Sequence, residues 1–198
     1  MREFVVVGHE VPTTAEFSLD DLPGAGRLDV LCRCVTAAFR LSHDFRDEVR
    51  VRLVLGDEYV VRFEGAELRH LRPDERSAGS LIRGALEARD GAIGAMEATA
   101  SPGVHVGTGD FESAVEAAAA ETGTLVELHA DGDPVVGLEP PDDVAFVLSD
   151  HRDFTDAEAA VLGRAADERR SLGPAPIHAD DAVTVAHNYL DTNGFEAY

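Results

Sequence analysis

Apolar residues in this chain recur with a period of two in some stretches and of about 3.6 in others, and the switches between the two lay out the elements. The first run, Glu3–Val7 (EFVVV), is β-branched and nearly unbroken, the form of a strand buried on both faces, and it ends at Gly8-His9. A polar loop with Pro12, Thr13 and Thr14 leads to FSLDDLPGAGR, where Gly24 and Gly26 flank Ala25 and let the backbone approach a ligand closely. From Arg27 the period turns helical: Leu28, Leu31, Val35, Ala38 and Phe39 share a stripe, with Arg27, Asp29 and Arg33 off it. Two readings of those three stay open at this point, a solvated helix face or a cluster that the Gly-rich loop aims into a cleft. Val49–Leu55 alternates, and Gly56-Asp57 turns it back into Tyr59–Phe63 as a hairpin.

Pro73-Asp74-Glu75 opens a second helix, with Pro at its first position and Leu81, Ile82 and Leu86 facing inward. Gly91 to Gly107 is Gly- and Ala-rich with little pattern and reads as a loop or insertion. Asp110 caps a third helix whose inner face carries Phe111, Val115 and Ala118. Thr124–Leu128 is a strand that ends at the Ala130-Asp131-Gly132-Asp133 turn, and Val144–Leu148 is a continuous apolar run ending in Ser149-Asp150-His151. Thr155 and Glu158 form a capping box for a helix with Val161, Leu162 and Ala165 inside. Gly173, Pro174 and Pro176 interrupt the next apolar stretch, and a last helix runs from about Asp181 to about Thr192, stopped by Asn193-Gly194.

Strands alternating with helices predict an α/β fold with a mainly parallel sheet flanked by helices, in one domain over residues 1–198. In such sheets ligands bind beyond the carboxyl ends of strands. Three such places fall in the second half: Leu128, Ser149 and the loop Leu172–Ile177. That loop (Leu172, Gly173, Pro174, Ala175, Pro176, Ile177) is apolar and bent, and offers unpaired backbone amides and carbonyls. It suits an adenine ring, which takes apolar faces and edge hydrogen bonds, better than a phosphate.

Charge changes this picture. The chain carries 38 acidic and 17 basic residues, a net of −21, and every basic residue is Arg. The acids are spread rather than blocked, the pattern of a surface kept soluble in a salt-rich cytosol. Without Lys there is no phosphate-binding or Schiff-base lysine, and His151-Arg152-Asp153-Phe154 cannot be a kinase catalytic loop. Cys32 and Cys34 lie two apart on a helix, point to different faces and read as core residues rather than a disulfide or metal pair. The acid pairs Asp20-Asp21, Asp142-Asp143 and Asp180-Asp181 lack further ligands, so no metal is expected. No apolar run is long enough to span a membrane and no signal peptide precedes the first strand, so a soluble cytoplasmic protein is expected. Arg69, Arg72, Arg76 and Arg83 form a local basic cluster, readable as charge balance or as phosphate contacts.

Several separated segments carry a family resemblance: REFVVVGH, PTTAEFSLDDLPGAGRLDVLCRCVTAAFRLSHDFRDEVR, PDERS, LVELHADG, FVLSDH and SLGPAPIHADD followed by VAHNYLD. In this order the chain resembles, over nearly its whole length, the archaeal tRNA (pseudouridine-54-N1)-methyltransferase family of the SPOUT class. The resemblance implies a C-terminal trefoil knot over residues 124–198, an RNA-facing half over residues 1–123, and a homodimer. It implies S-adenosyl-L-methionine as methyl donor and N1 of a pseudouridine in the tRNA T-loop as acceptor. By position its cofactor contacts fall on Leu128, Ser149, the Leu172–Ile177 loop and Ala182; relatives usually carry Gly in place of Ser149 and often Cys in place of Ala182.

Loop placement and the resemblance together nominate Asp29 to accept or orient the N1 proton, with Asp150 second, and Arg27 to hold a phosphate or stabilise charge on the base. His9, Arg27, Arg33, Arg72 and Arg76 are the expected RNA-facing residues. His151, His187 and Asn188 read as structural hydrogen bonders. Two other readings remain: a related methyltransferase acting on ribosomal RNA pseudouridine, and a non-catalytic RNA-binding or assembly protein that kept the knot.

Overall fold

The structure, a computed structural model, describes residues 1–94 and 96–197. Eight strands form one sheet: β1 (Arg2–Gly8), β2 (Val49–Leu55), β3 (Tyr59–Glu64), β4 (Ala98–Ser101), β5 (Val104–Thr108), β6 (Thr124–Pro134), β7 (Val144–Ser149) and β8 (Glu168–Ser171). Their order is β4-β5-β3-β2-β1-β7-β6-β8. β2, β1, β7, β6 and β8 pair in parallel, while the β2-β3-β5-β4 side is antiparallel. Five helices pack on the sheet: α1 (Leu28–Phe39), α2 (Glu75–Ala88), α3 (Phe111–Glu121), α4 (Asp156–Ala165) and α5 (Ala179–Asp191). None of the described helices is long and apolar enough to cross a membrane.

The unbroken apolar strands are explained by burial on both sides. Phe4 and Val6 of β1, with Phe146 and Leu148 of β7, face the core shared with α1, α2 and α5. Val5, Val7, Ala145 and Val147 face the opposite core under α3 and α4. Cys32 and Cys34 are buried free thiols in the first of these cores, and burial pushes both pKa values up. His187 of α5 ties that helix inward: its Nε2 sits 2.9 Å from the Ala38 carbonyl and Arg2 reaches its Nδ1 at 3.3 Å. Burial first, then the Arg46 and Arg2 charges, push its pKa down to about 3, so it stays neutral and donates from Nε2.

On the same sheet face, beside the end of α3, charged residues of β1 and β2 take over from apolar ones. Glu3 and Arg52 form a buried pair that extends to Arg50, Glu64 and Glu121. Burial raises the Glu3 pKa against the pull of Arg52 and Arg50.

Several boundaries differ from expectation. The patternless stretch Gly91–Gly107 contains most of the β4–β5 hairpin, in which β4 is a short edge strand and β5, paired on both sides, buries only the side chains of Val104 and Val106. β6 runs through the expected turn to Pro134, with a register shift against β8 between Leu128 and Asp133. β8 (ERRS) is an edge strand without a hydrophobic signature. The second helix starts one residue beyond Asp74, which caps it through Ser77 N at 2.7 Å, so Pro73 lies outside rather than at the first position. The last helix starts at Ala179.

Candidate active site

β1 lies between β2 and β7, so the chain departs in opposite directions on either side of it, and the carboxyl ends of β1, β7 and β6 open into one crevice. Val7 is paired with Ser149, which sets the loop after β1 beside the loop after β7. Two groups of side chains occupy this edge.

The first group is a cleft of about 150 Å³. Leu128 of β6, Leu148 and Ser149 of β7, and Ala182 of α5 line its inner part, and the loop after β8 forms its outer wall through Leu172, Gly173, Ala175, Pro176 and Ile177. Every expected cofactor position therefore borders it except Pro174, which turns the loop without lining the cleft. A Cβ on Gly173 would meet only the Ala175 carbonyl oxygen, at 4.0 Å, so the loop backbone is open to close approach here. Ser149 Oγ and Arg170 Nε are buried without a hydrogen-bond partner among the described residues. An apolar slot with exposed backbone and two unspent polar atoms fits an adenosine-bearing group. Arg170, His129, Asp153 and Phe154 also line the cleft and were not singled out from sequence. The segment Asp150–Phe154, directly after a buried strand, carried the signal for two of them.

The second group is charged. Gly26 and Arg27 both take left-handed backbone, with φ of 62° and 63°. A Cβ on Gly26 would fall 1.8 Å from the Glu10 carbonyl oxygen, so only Gly lets this loop pack on the segment after β1. Left-handed φ is strained for Arg, and Asp29 holds it there: Arg27 Nε and Nη2 donate to Asp29 Oδ1 and Oδ2 at 3.0 and 3.2 Å. Arg33, one turn on, donates to the same carboxylate at 2.7 Å and also reaches Glu75 and Asp180 at 3.3 Å. Burial alone would raise the Asp29 pKa, but the bonds from Arg27 and Arg33 hold it below the usual carboxylate value. The open question about these three residues resolves to a cluster in which Asp29 is buried and Arg27 is partly exposed.

His9 and Asp150 bond to each other across the crevice edge. Asp150 is buried and accepts from His9 N, His9 Nδ1 and Arg152 N at 3.0, 3.0 and 2.9 Å, so both its oxygens are engaged. His9 Nε2 meets Glu158 at 3.1 Å. Burial lowers the His9 pKa, but the hydrogen bonds that Asp150 and Glu158 accept from the ring outweigh it and hold the ring above its ordinary value. Both its ring nitrogens meet carboxylates, so His9 braces the loops after β1 and β7. Arg33 and Arg76 are likewise bound to acids, Arg76 to Asp20. Arg72 is exposed with no side-chain partner among the described residues.

Known proteins share this architecture. A family model described as "Putative SAM-dependent RNA methyltransferase" matches residues 1–195. The chain belongs to this family. A Haloferax volcanii protein named tRNA (pseudouridine(54)-N(1))-methyltransferase is 64% identical over 199 residues, with all of both chains covered. A Haloarcula marismortui protein of the same name is 62% identical over the same span. Among solved structures, Archaeoglobus fulgidus Nep1 bound to S-adenosylhomocysteine superposes with a TM-score of 0.67 over 96% of this chain and 97% of that one. At 14% identity that match speaks to the fold alone.

Proposed function

We propose that the protein transfers a methyl group from S-adenosylmethionine to N1 of pseudouridine 54 in the T-loop of tRNA. Full-length identity to relatives that carry that name is the observation that carries the reading. The cleft at the ends of β6 and β7 supports it: its apolar walls and open loop backbone suit the adenosine end of the donor. Leu128, Ser149, the Leu172–Ile177 loop and Ala182 are the residues assigned to hold it. When bound, S-adenosylmethionine supplies an electrophilic methyl group, so the protein has only to align donor and acceptor and manage one proton.

Arg27 follows the Gly26 loop that packs on the segment after β1 and keeps a partly exposed guanidinium, and we assign it the stabilisation of negative charge on the uracil carbonyls as N1 gives up its proton. Asp29 is ionised and bound by two guanidinium groups, which makes it a weak base. We assign it the positioning of Arg27. The N-terminal half faces the RNA, two copies pair as the family resemblance implies, and the loop after β8 closes a C-terminal knot. The spread acidic surface and the haloarchaeal relatives support a salt-rich cytoplasm as its setting.

The test is a methyl-transfer assay in high salt with labelled S-adenosylmethionine and a T-arm hairpin carrying pseudouridine or uridine at the target. The expected result is transfer to the pseudouridine hairpin alone, with N1-methylpseudouridine in the digest. Cofactor binding without transfer to this hairpin would instead favour a ribosomal RNA substrate or a non-catalytic role.

A further inference from the structure

The chain has far more acids than arginines, and it pairs most of the arginines it has. Arg2, Arg27, Arg33, Arg46, Arg50, Arg52 and Arg62 contact carboxylates. So do Arg76, Arg152, Arg164, Arg169 and Arg170. Arg40, Arg69, Arg72, Arg83 and Arg89 have no carboxylate partner among the described residues, and all five lie between β1 and β4. A polyanion approaching a surface of net charge −21 gains most where a guanidinium is not already neutralised.

Arg40 and Arg69 border adjoining hollows, and Arg72 is exposed on the same segment as Arg69. A tight turn over residues 40–46 is closed by Leu41 N to Asp44 O at 2.9 Å and Arg46 N to Phe39 O at 2.8 Å, and it displays Leu41 and Phe45 with 42% and 39% of their surface exposed. The segment 66–73 runs beside it. Its backbone is fixed by Arg72 N to Ser77 Oγ at 2.9 Å and Ser77 Oγ to His70 O at 3.2 Å, with His70 in left-handed backbone. Leu41, Phe45, Arg69 and His70 line one hollow, and Arg40, His43, Phe45 and Pro73 line the next. Together the two segments hold four arginines and two histidines against Asp44 and Glu67. Asp44 already accepts from Phe45 N, and Glu67 lies 3.8 Å from His105. Asp47 and Glu48 also line the first hollow, Glu48 lying 3.6 Å from Arg46. Arg40 also borders the groove of about 970 Å³ that contains Arg33, so this surface is continuous with the Asp29 cluster.

We propose that the turn 40–46 and the segment 66–73 form the docking surface for the T-arm RNA, with Arg40, Arg69 and Arg72 on backbone phosphates and Phe45 stacking an unpaired base. This rests on the RNA substrate assigned above. It replaces His9, Arg33 and Arg76 as RNA contacts, because their side chains are held by carboxylates. Arg69 donates to the Leu68 carbonyl at 2.7 Å, a bond that leaves its charge uncompensated, and guanidinium groups without a carboxylate partner near an exposed aromatic ring are what single-stranded loop recognition uses.

The experiment measures the Kd of the intact protein for a labelled pseudouridine T-arm hairpin across a potassium chloride series. S-adenosylhomocysteine affinity and light scattering serve as controls. Combined Arg40→Ala, Arg69→Ala and Arg72→Ala is expected to weaken RNA binding at least about tenfold. It should also flatten the slope of log K against log salt by about 2, because each phosphate neutralised by the protein adds roughly 0.7–0.9 to that slope. Phe45→Ala is expected to weaken binding about tenfold with the slope unchanged. Arg164→Ala, which removes a guanidinium already paired with Glu112, should change neither. Unaltered affinity and slope in the triple variant, or an equal loss in Arg164→Ala, would overturn this surface while leaving the assigned reaction standing. Loss of the oligomer in the triple variant would overturn it by making the surface a contact between copies. A wild-type protein that binds no hairpin would remove the RNA reading and this surface with it.

Discussion

At the scale of single residues, the site is built from pairs that each fix the other. Arg27 stays in a left-handed conformation because Asp29 grips its fork, so removing either loses the same arrangement. Asp29→Ala and Arg27→Ala are each expected to slow single-turnover methyl transfer on the order of a hundredfold, the scale of an ångström-sized misplacement. The double variant should be little worse than either alone, since residues acting as a unit do not add. Cofactor affinity should hold in all three. Additive losses, or a single-turnover pH profile whose acid limb disappears only in Asp29→Asn, would make Asp29 a base and not a positioning residue. His9 gives a second expectation. Its folded pKa is raised above the ordinary 6.5, so its contribution to stability is complete below that pH and is lost as pH rises through the raised value. The Tm difference between wild type and His9→Gln should therefore be largest near pH 6 and shrink toward alkaline pH. A difference independent of pH would mean that His9 contributes packing alone.

At the scale of elements, the capping box of α4 does two jobs. Thr155 Oγ accepts from Glu158 N at 3.3 Å, while the Glu158 carboxylate takes Thr155 N at 2.7 Å and also His9 Nε2. Thr155→Ala is expected to cost about 1 kcal/mol, seen as a Tm lower by roughly 2–4 °C in a chain of this size. Glu158→Ala should cost more than Thr155→Ala at acid pH and converge on it at alkaline pH, because only Glu158 also holds the His9 cation. Parallel pH curves for the two variants would break that link. This box was legible in the sequence, as were β1, β7 and the α1 stripe, because local chemistry and period agree there. β4, β5 and β8 were not legible. β4 and β8 are edge strands held by backbone pairing to one neighbour, so ERRS needs no apolar alternation and leaves no trace of one, while β5, paired on both sides, is too short for its two buried valines to set a pattern. The candidate site divides in the same way. The Leu172–Ile177 loop is contiguous and could be read off its Gly and Pro residues. The His9–Asp150 clamp joins residues 141 positions apart, and nothing in either neighbourhood announces the partner. Arg33 and Arg76 looked available because a sequence displays charges without showing which are already paired.

At the scale of the whole molecule, two electrostatic effects run against each other as salt rises. Screening weakens the ion pairs that hold Arg33, Arg50 and Arg62, and that alone would destabilise the fold. Screening also relieves repulsion among acids that have no arginine to meet. The composition decides between them: even if every basic residue paired one acid, 21 of the 38 acids would stay uncompensated. Exposed pairs are worth about 0–1 kcal/mol each, and the innermost pair, Glu3 with Arg52, is shielded from bulk ions by burial. Repulsion among the excess acids should therefore dominate. The Debye length falls from about 10 Å at 0.1 M to about 3 Å at 1 M salt, short enough to isolate neighbouring surface carboxylates. Tm is accordingly expected to climb steeply between 0.1 and about 1 M potassium chloride and then to flatten. A gain of about 3 kcal/mol would appear as roughly 6–12 °C. An uncharged osmolyte such as sucrose, which strengthens burial without screening, separates the two causes. If sucrose at matched osmolality reproduces the whole rise, the acids are not its source. If Tm falls with salt, the paired arginines and not the excess acids govern the stability of this fold.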